Sequence, residues 1–405
     1  MSNIRVTVRR RATAAFAQGI AFGMGILTAG AFGAPTAAAQ EELFIGGALS
    51  LTGIQAPLDE PTLRGAQVAV EALNEEGGIL GKQIRFVNLD GKSDPATVGN
   101  VAVQLIEQGA DMIVAPCDFD FGGPASRAAQ NAGLVGISTC ASSPLYGSAA
   151  LGDKQFTASM WNTTMGAAAA EYAFKEKGWK TAYVVTDTFI DYTVTLSRYF
   201  IEHFENLGGT VIREDKYTQG AQDFSAQLNR IQNLDEKPDV IFISSYMPDL
   251  GTIIRSIREI GIETPIMGGD SYDDTGLFAA LGEAHGNDIW FVTHTYMKEG
   301  VAPGMADFLE KYEEVHGEAP DTSFTAMGWD TVMIMAKAAE KAGSTDGDKM
   351  ADAMEEMTFD LLSGKLDYSS AEEGHYPYKE GALVELQNGE TSFIGWMKPT
   401  NPPAP

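Results

Sequence analysis

Between Asp239 and Leu250 the chain reads Asp-Val-Ile-Phe-Ile-Ser-Ser-Tyr-Met-Pro-Asp-Leu, a unit that few folds can accommodate. Val240 to Ile243 is a short apolar run rich in β-branched residues, as in a strand covered on both faces. Pro248 falls where a first helical position would be, and Leu250, Ile253, Ile254 and Ile257 recur at helical spacing. Such a strand-to-helix step leaves Ser245 and Tyr246 at the carboxyl end of a parallel strand, where open α/β sheets bind small molecules.

The same step recurs along the chain. Strands are expected over 43–49, 83–89, 112–115 and 134–138, then over 182–186, 210–213, 239–244 and 265–267. Helices are expected between them over 62–75, from Asp94-Pro95 to Gly109, over 123–131, 165–177, 192–207, 224–231 and 275–281. Alternation of this kind means βα units in parallel sheets. At 405 residues the chain exceeds what one core normally serves, so two similar lobes are expected. The segments near Trp161, over 289–293 and over 371–381 look like three crossings between them. Helices over 305–316, 329–341 and 349–356 would return to the first lobe, and a strand over 383–386 would close the second. The expected fold is α/β, with two Rossmann-like parallel-sheet lobes on a three-segment hinge. The first lobe takes 40–161 and 294–374, the second 162–293 and 375–398, and 399–405 form a disordered tail.

Residues 1–39 read as an export signal: Arg5, Arg9, Arg10 and Arg11, then an uncharged Ala/Gly-rich run ending at Ala37-Ala38-Ala39. The run is long enough to span a membrane, but it is poor in Leu, Ile and Val and ends in a cleavage motif. Cleavage near Ala39 would start the mature chain at Gln40, in the periplasm. Arg9-Arg10-Arg11 also permits a twin-arginine route. The formal net charge is −27, and losing the four leader arginines makes it four units more negative. Such a surface repels nucleic acid and anionic membranes, which excludes a nucleic-acid partner. The two cysteines, Cys117 and Cys140, fall just beyond consecutive expected strands. In an exported chain they are either bridged or a pair of small buried thiols, since Cα separation decides.

Catalytic signatures are missing. There is no Gly-x-Ser-x-Gly elbow, P-loop, His-Glu-x-x-His or Gly-rich dinucleotide fingerprint. The histidines (His203, His285, His294, His316, His375) have no metal-ligand spacing and read as surface or crossing residues. No cofactor, metal or enzymatic activity is expected. Binding finds more support. The run Ser138-Thr139-Cys140-Ala141-Ser142-Ser143 offers hydroxyls and backbone N–H groups to a carboxylate, or is a polar turn before Pro144. Tyr192 and Tyr246 open helices of the second lobe, where an aromatic ring with a polar tip can cover a ligand. Asp270, after Met267-Gly268-Gly269, could face an ammonium or be an ordinary turn aspartate.

Leu49-Ser50-Leu51-Thr52-Gly53, Leu73-Asn74-Glu75-Glu76-Gly77-Gly78-Ile79-Leu80-Gly81, Asp94-Pro95-Ala96, Ala132-Gly133-Leu134-Val135-Gly136-Ile137-Ser138 and Asp223-Phe224-Ser225 together resemble the leucine/isoleucine/valine-binding proteins. These are periplasmic receptors of ATP-driven (ABC) importers with the type I two-lobe fold. The resemblance covers about residues 43–395. It implies that Ser142 grips a ligand α-carboxylate and that the Cys140 backbone helps hold the amino-acid head. It implies further that Tyr192 and Tyr246 close over the ligand and that Asp270 pairs with the α-ammonium.

This chain also departs from the family pattern. A family serine that helps hold the carboxylate is replaced by Phe119, flanked by Asp118 and Asp120, which weakens an anion pocket and adds an aromatic wall. Asp270 is one methylene shorter than the usual glutamate. Trp161, Phe189 and Tyr272 would add aromatic surface near the cleft. The expectation is therefore a monomeric solute receptor serving a membrane permease. Its ligand would be a branched-chain or hydrophobic amino acid or a related small polar solute. An aromatic acid, an amide or a quaternary ammonium held by cation–π contacts is the alternative. A ligand-sensing module, or an enzyme acting on small amides, is a more distant reading.

Overall fold

The structure is a computed structural model that describes residues 42–405 except Gln222. The expected export signal and its cleavage site lie outside the described residues. In chain order, the first lobe is built from β1 (Leu43–Gly47), α1 (Ala56–Glu75), β2 (Ile84–Asn88), α2 (Pro95–Glu107), β3 (Met112–Ala115), α3 (Phe119–Asn131), β4 (Gly136–Ser138), α4 (Ser148–Leu151) and β5 (Gln155–Thr157). Its strands form one parallel sheet in the order β2-β1-β3-β4-β5. Alternate residues serve opposite faces. Leu43, Ile45, Met112 and Val114 enter one core cluster, whereas Phe44, Ile113 and Ala115 enter another with Val98 and Ala102 of α2 and Ala125 of α3.

The second lobe follows with α5 (Asn162–Glu171), β6 (Thr181–Asp187), α6 (Asp191–Asn206), β7 (Thr210–Tyr217), α7 (Ser225–Gln232), β8 (Val240–Ser244), α8 (Asp249–Glu259), β9 (Ile266–Gly268), α9 (Thr275–His285) and β10 (Ile289–Thr293). β8 is the double-faced strand that its apolar run predicts. Val240 and Phe242 join the cluster of Leu196 and Phe200 from α6, and Ile241 and Ile243 join Leu250, Ile253, Ile254 and Ile257 from α8. The chain then runs through α10 (Met305–His316), α11 (Ser323–Ala342), α12 (Gly347–Glu356), β11 (Thr358–Leu361), β12 (Gly364–Tyr368), β13 (Pro377–Tyr378), β14 (Gly381–Gln387) and β15 (Glu390–Met397). The second sheet is ordered β15-β14-β10-β9-β8-β6-β7, with β14 and β15 antiparallel. With two such sheets, the molecule has the type I periplasmic-binding-protein architecture.

Several features differ from the sequence reading, among them the start of α11 at Ser323 rather than at 329. α1 begins at Ala56 rather than at 62, because Pro57 fills the first turn and Pro61 is accommodated inside the helix. β11, β12 and β13 form a small antiparallel sheet, and β15 adds an edge strand, neither of which short mixed-polarity runs announce. The segment 399–405, expected to be disordered, folds back on α5. Thr400 N donates to Glu171 Oε1 at 2.9 Å, Lys175 Nζ donates to Thr400 Oγ1 at 2.9 Å, and Pro403 is buried. Among the described residues, no helix is long and apolar enough to cross a membrane.

One crossing of helices fixes the site from behind. A Cβ on Gly65 of α1 would lie 1.8 Å from the Thr325 carbonyl, and one on Gly328 of α11 would lie 1.8 Å from that of Thr62. Only glycine permits this approach. It seats the middle of α1, at Thr62 to Ala66, against the first turns of α11.

Candidate functional site

The two sheets present the carboxyl ends of their parallel strands to one another. From the first lobe, the loop after β3 carries Cys117 and Asp118. Asp118 takes a left-handed backbone (φ +65°), which few non-glycine residues adopt, and is 1% exposed. Its Oδ2 accepts from Gln55 Nε2 and from the Tyr246 hydroxyl, each at 2.8 Å. Asp59 of α1 holds this loop to the one after β1, accepting from Ser50 N at 2.8 Å and from Cys117 N at 3.1 Å. Burial pushes Asp59 up to about 7 despite those two N–H donors.

Cys117 and Cys140 form a disulfide, with Cα atoms 4.8 Å apart, which joins the loops after β3 and β4. Beyond Cys140, the Ser142 carbonyl accepts from Asn162 N at 2.6 Å. The Ser142 hydroxyl is fully buried and has no hydrogen-bond partner among the described residues. The loop itself is pinned by Ser138 Oγ, which donates to the Pro116 carbonyl at 2.8 Å, and by Thr157 Oγ1, which donates to the Ala141 carbonyl at 2.7 Å.

From the second lobe come Tyr192, in the first turn of α6, Tyr246, in the loop after β8, and Asp270, after β9. The Tyr192 and Tyr246 rings lie 5.2 Å apart at 57°. The Tyr192 hydroxyl meets Ser271 Oγ and accepts from Ser271 N, both at 3.3 Å. Burial first, then the adjacent Asp270, hold the Tyr192 phenol far above its usual range; for Tyr246 the causes are burial and then Asp118. His294, directly after β10, is fully buried with Nε2 2.9 Å from Asp270 Oδ2. The two atoms are close, but the N–H is not aligned on the oxygen as a hydrogen bond. The Phe324 ring of α11 lies at 5.5 Å from the imidazole.

Further contacts cross between the lobes at the rim. Asp191 N donates to Asp120 Oδ2 at 2.9 Å, the Ser143 hydroxyl donates to Asp191, and Ser323 N donates to Asp273 Oδ2 at 2.9 Å. The lobes are thus closed on one another. A slot of about 10 Å³ between Leu58, Tyr246, Asp273 and Phe324 marks the mouth.

Of the residues expected at the site, Tyr192, Tyr246 and Asp270 come together opposite Asp118, with Cys140 and Ser142 in the disulfide-linked loops. Phe119 does not join them. As the first residue of α3 it turns to the outer layer, against the Gly123 and Leu151 side, with the Arg127 guanidinium 5.5 Å from its ring centre. Trp161 lies at the hinge instead, its indole N–H donating to the Tyr146 carbonyl at 3.3 Å and its ring 5.1 Å from Tyr376. Tyr272 is sealed in the second lobe, donating to the Ile243 carbonyl at 3.0 Å, and Phe189 is exposed. Of the histidines read as surface or crossing residues, three are buried: His294 and His375 at the expected crossings, and His203 away from them. His203 meets Glu171, His375 sits between the Gln155 carbonyl and Glu355, and His294 faces Asp270. Gln55 and Asp59 carry no functional signal in the sequence, His294 reads there as a surface or crossing residue, and Asp118 reads as a flank of Phe119. An acid directly after a strand end was the available signal for Asp118, whereas nothing local marks Gln55.

Residues 42–391 match the family model described as periplasmic binding protein. The Leu/Ile/Val-binding protein BraC3 of Rhizobium johnstonii is 27% identical over 354 residues, covering 87% of this chain and 94% of its own. The branched-chain amino acid transporter substrate-binding protein LivJ of Streptococcus pneumoniae, solved with isoleucine, superposes with a TM-score of 0.80 at 25% identity, covering 89% of this chain and all of its own. The leucine-binding protein LivK of Thermotoga maritima gives a TM-score of 0.79 at 28% identity, covering 88% and 99%. With the match spanning both sheets and the cleft between them, the chain belongs to the periplasmic binding protein family, among the relatives of the Leu/Ile/Val-binding proteins.

Proposed function

We propose that the chain is the extracytoplasmic solute-binding receptor of an ABC importer. It holds one small polar solute between its lobes and delivers it, chemically unchanged, to a membrane permease. The observation that carries this reading is the Tyr246–Asp118 hydrogen bond, which joins the two lobes where polar side chains from both are buried. A solute cannot reach groups so enclosed unless the lobes part, so binding would be coupled to hinge closure.

In this reading Tyr192 and Tyr246 cover the solute, Asp270 takes a positively charged nitrogen, and Ser142 and the Cys140 backbone contribute from the facing loops. The names and ligands of the relatives support a solute with an amino group.

A thermal-shift screen against amino acids, aliphatic amines, amides and quaternary amines tests the reading, because a bound solute raises apparent stability. A hit should be recovered intact by mass spectrometry, and its uptake should fail in cells lacking this chain. No stabilising solute in any class, or recovery of a converted product, would overturn it. Mass spectrometry of the native protein should give an amino terminus at Gln40, and a retained Met1 would remove the export step.

A further inference from the structure

This inference rests on the receptor reading and narrows its solute. Asp118 reaches the Tyr192–Tyr246 pair from the first lobe and Asp270 from the second, and they are only 1% and 3% exposed. Asp270 has His294 beside it, but among the described residues Asp118 is hydrogen-bonded only by the neutral donors Gln55 and Tyr246. Among the described residues, no lysine or arginine forms an ion pair with Asp118, Asp120 or Asp270. A buried carboxyl group without a counter-charge resists ionisation. Burial, with nearby Asp270 and Asp120 adding to it, pushes Asp118 up to about 8 even against its two donors.

A second observation does not involve the acids. Gln55 is fully buried, and among the described residues its amide Oε1 has no hydrogen-bond partner, although Nε2 of the same amide donates to Asp118. A side-chain amide oxygen can only accept. The Ser142 hydroxyl is unpaired as well, and it can act either way. Among the described residues the cleft therefore offers one group that can only accept, the Gln55 amide oxygen beside Asp118, and a Ser142 hydroxyl that serves either way, and leaving them unmatched is costly. An amino-acid carboxylate placed there would bring more acceptors and a negative charge that opposes ionisation of Asp118 still further.

We infer that the solute is a small organic cation bearing N–H donors, an alkylammonium, amidinium or guanidinium group, without a carboxylate. Its N–H donors would be shared between Asp270 and, on the facing lobe, Asp118 and the Gln55 amide oxygen. The rings of Tyr192 and Tyr246 would flank it, where a cation is attracted to aromatic faces.

Leucine and 3-methylbutylamine share a side chain and differ by the carboxylate, so calorimetric titration of each tests the idea, with agmatine and methylamine added to sample cation size. The amines should include one that binds at least about tenfold tighter than leucine. Asp118→Asn keeps an acceptor for Tyr246 and removes the charge. It should weaken amine binding by about tenfold and leave leucine unchanged or improved. If leucine or another amino acid binds as tightly as the best amine, the inference fails while the receptor reading stands. If Asp118→Asn weakens both classes equally, Asp118 only shapes the cleft, and the inference fails. If neither amines nor amino acids bind at millimolar concentration, the inference fails, and the receptor reading falls with it only when the thermal screen finds no stabilising solute in any class.

Discussion

The Tyr246 hydroxyl donates to Asp118 Oδ2 at 2.8 Å, so a residue after β8 of the second sheet meets one after β3 of the first. Both groups are buried, and Asp118 has one other donor, Gln55 Nε2. The bond exists only while the lobes are together. It therefore belongs to the closed form and biases the open–closed equilibrium.

Tyr246→Phe keeps the ring against Tyr192 and removes this bond alone. The closed form should lose about 1–2 kcal/mol, the worth of a hydrogen bond to a buried carboxyl group. Small-angle scattering should show a more open ligand-free protein, and calorimetry a roughly five- to thirtyfold weaker affinity for whichever solute the thermal screen identifies. Unchanged scattering and affinity would mean that the bond does not govern closure.

The buried acids make stability depend on pH in a definite direction. Asp118 is raised to about 8 and Asp59 to about 7 from an ordinary 3.8, chiefly by burial. Between about pH 4 and pH 7–8 the folded protein therefore keeps protons that the unfolded chain has released. The stability linked to these groups is complete below about pH 4 and is lost as pH rises through 7 and 8. The groups facing Asp118 are Gln55 from α1, Tyr246 after β8, Asp270 with its neighbour His294, and Asp120 on its own helix; Asp59 faces the N–H groups of Ser50 and Cys117, with Asp90 nearby. The Tm of ligand-free protein should fall from pH 5 to pH 8 and fall less steeply in Asp118→Asn. A Tm that rises over that interval, or an identical slope in the variant, would contradict the assignment.

The Cys117–Cys140 disulfide closes a 23-residue separation between the two loops that carry Asp118 and Ser142. On loop-closure entropy alone, replacing both cysteines by alanine should cost about 3 kcal/mol in chemical denaturation. Solute affinity should fall as well, because the bridge holds those loops in register. Lost stability with unchanged affinity would confine the bridge to a scaffolding role.

The strand-then-helix alternation was legible because β8 and its neighbours are covered on both faces and α8 on one, which writes the pattern directly into the sequence. The resemblance drew attention to Tyr192, Tyr246 and Asp270, which do gather opposite Asp118. What stayed hidden depends on direction and distance. A single backbone angle at Asp118 turns its carboxyl group to the cleft and sends Phe119 outward. His294 and Gln55 reach the site only through the fold, from a strand end and a helix start far away in sequence. The last seven residues gave no periodic signal, yet one carboxylate, Glu171, is enough to hold Thr400.

The opposed directions of Phe119 and Asp118 can be separated by substitution. Phe119 is half-buried among the outer-layer residues of α3, stacked near Arg127 and away from the tyrosine pair. Shortening it to alanine removes apolar contact without touching a cleft group, so Phe119→Ala should cost about 1–2 kcal/mol of stability, less than a fully buried phenylalanine. Affinity for the solute should remain within about twofold once the variant is confirmed folded at the assay temperature. A large affinity loss in Phe119→Ala, with little change in Asp118→Asn, would reverse the assignment. The ring rather than the carboxyl group would then form the cleft wall, and α3 would have to start later or turn by about a third of a helical turn to bring it there.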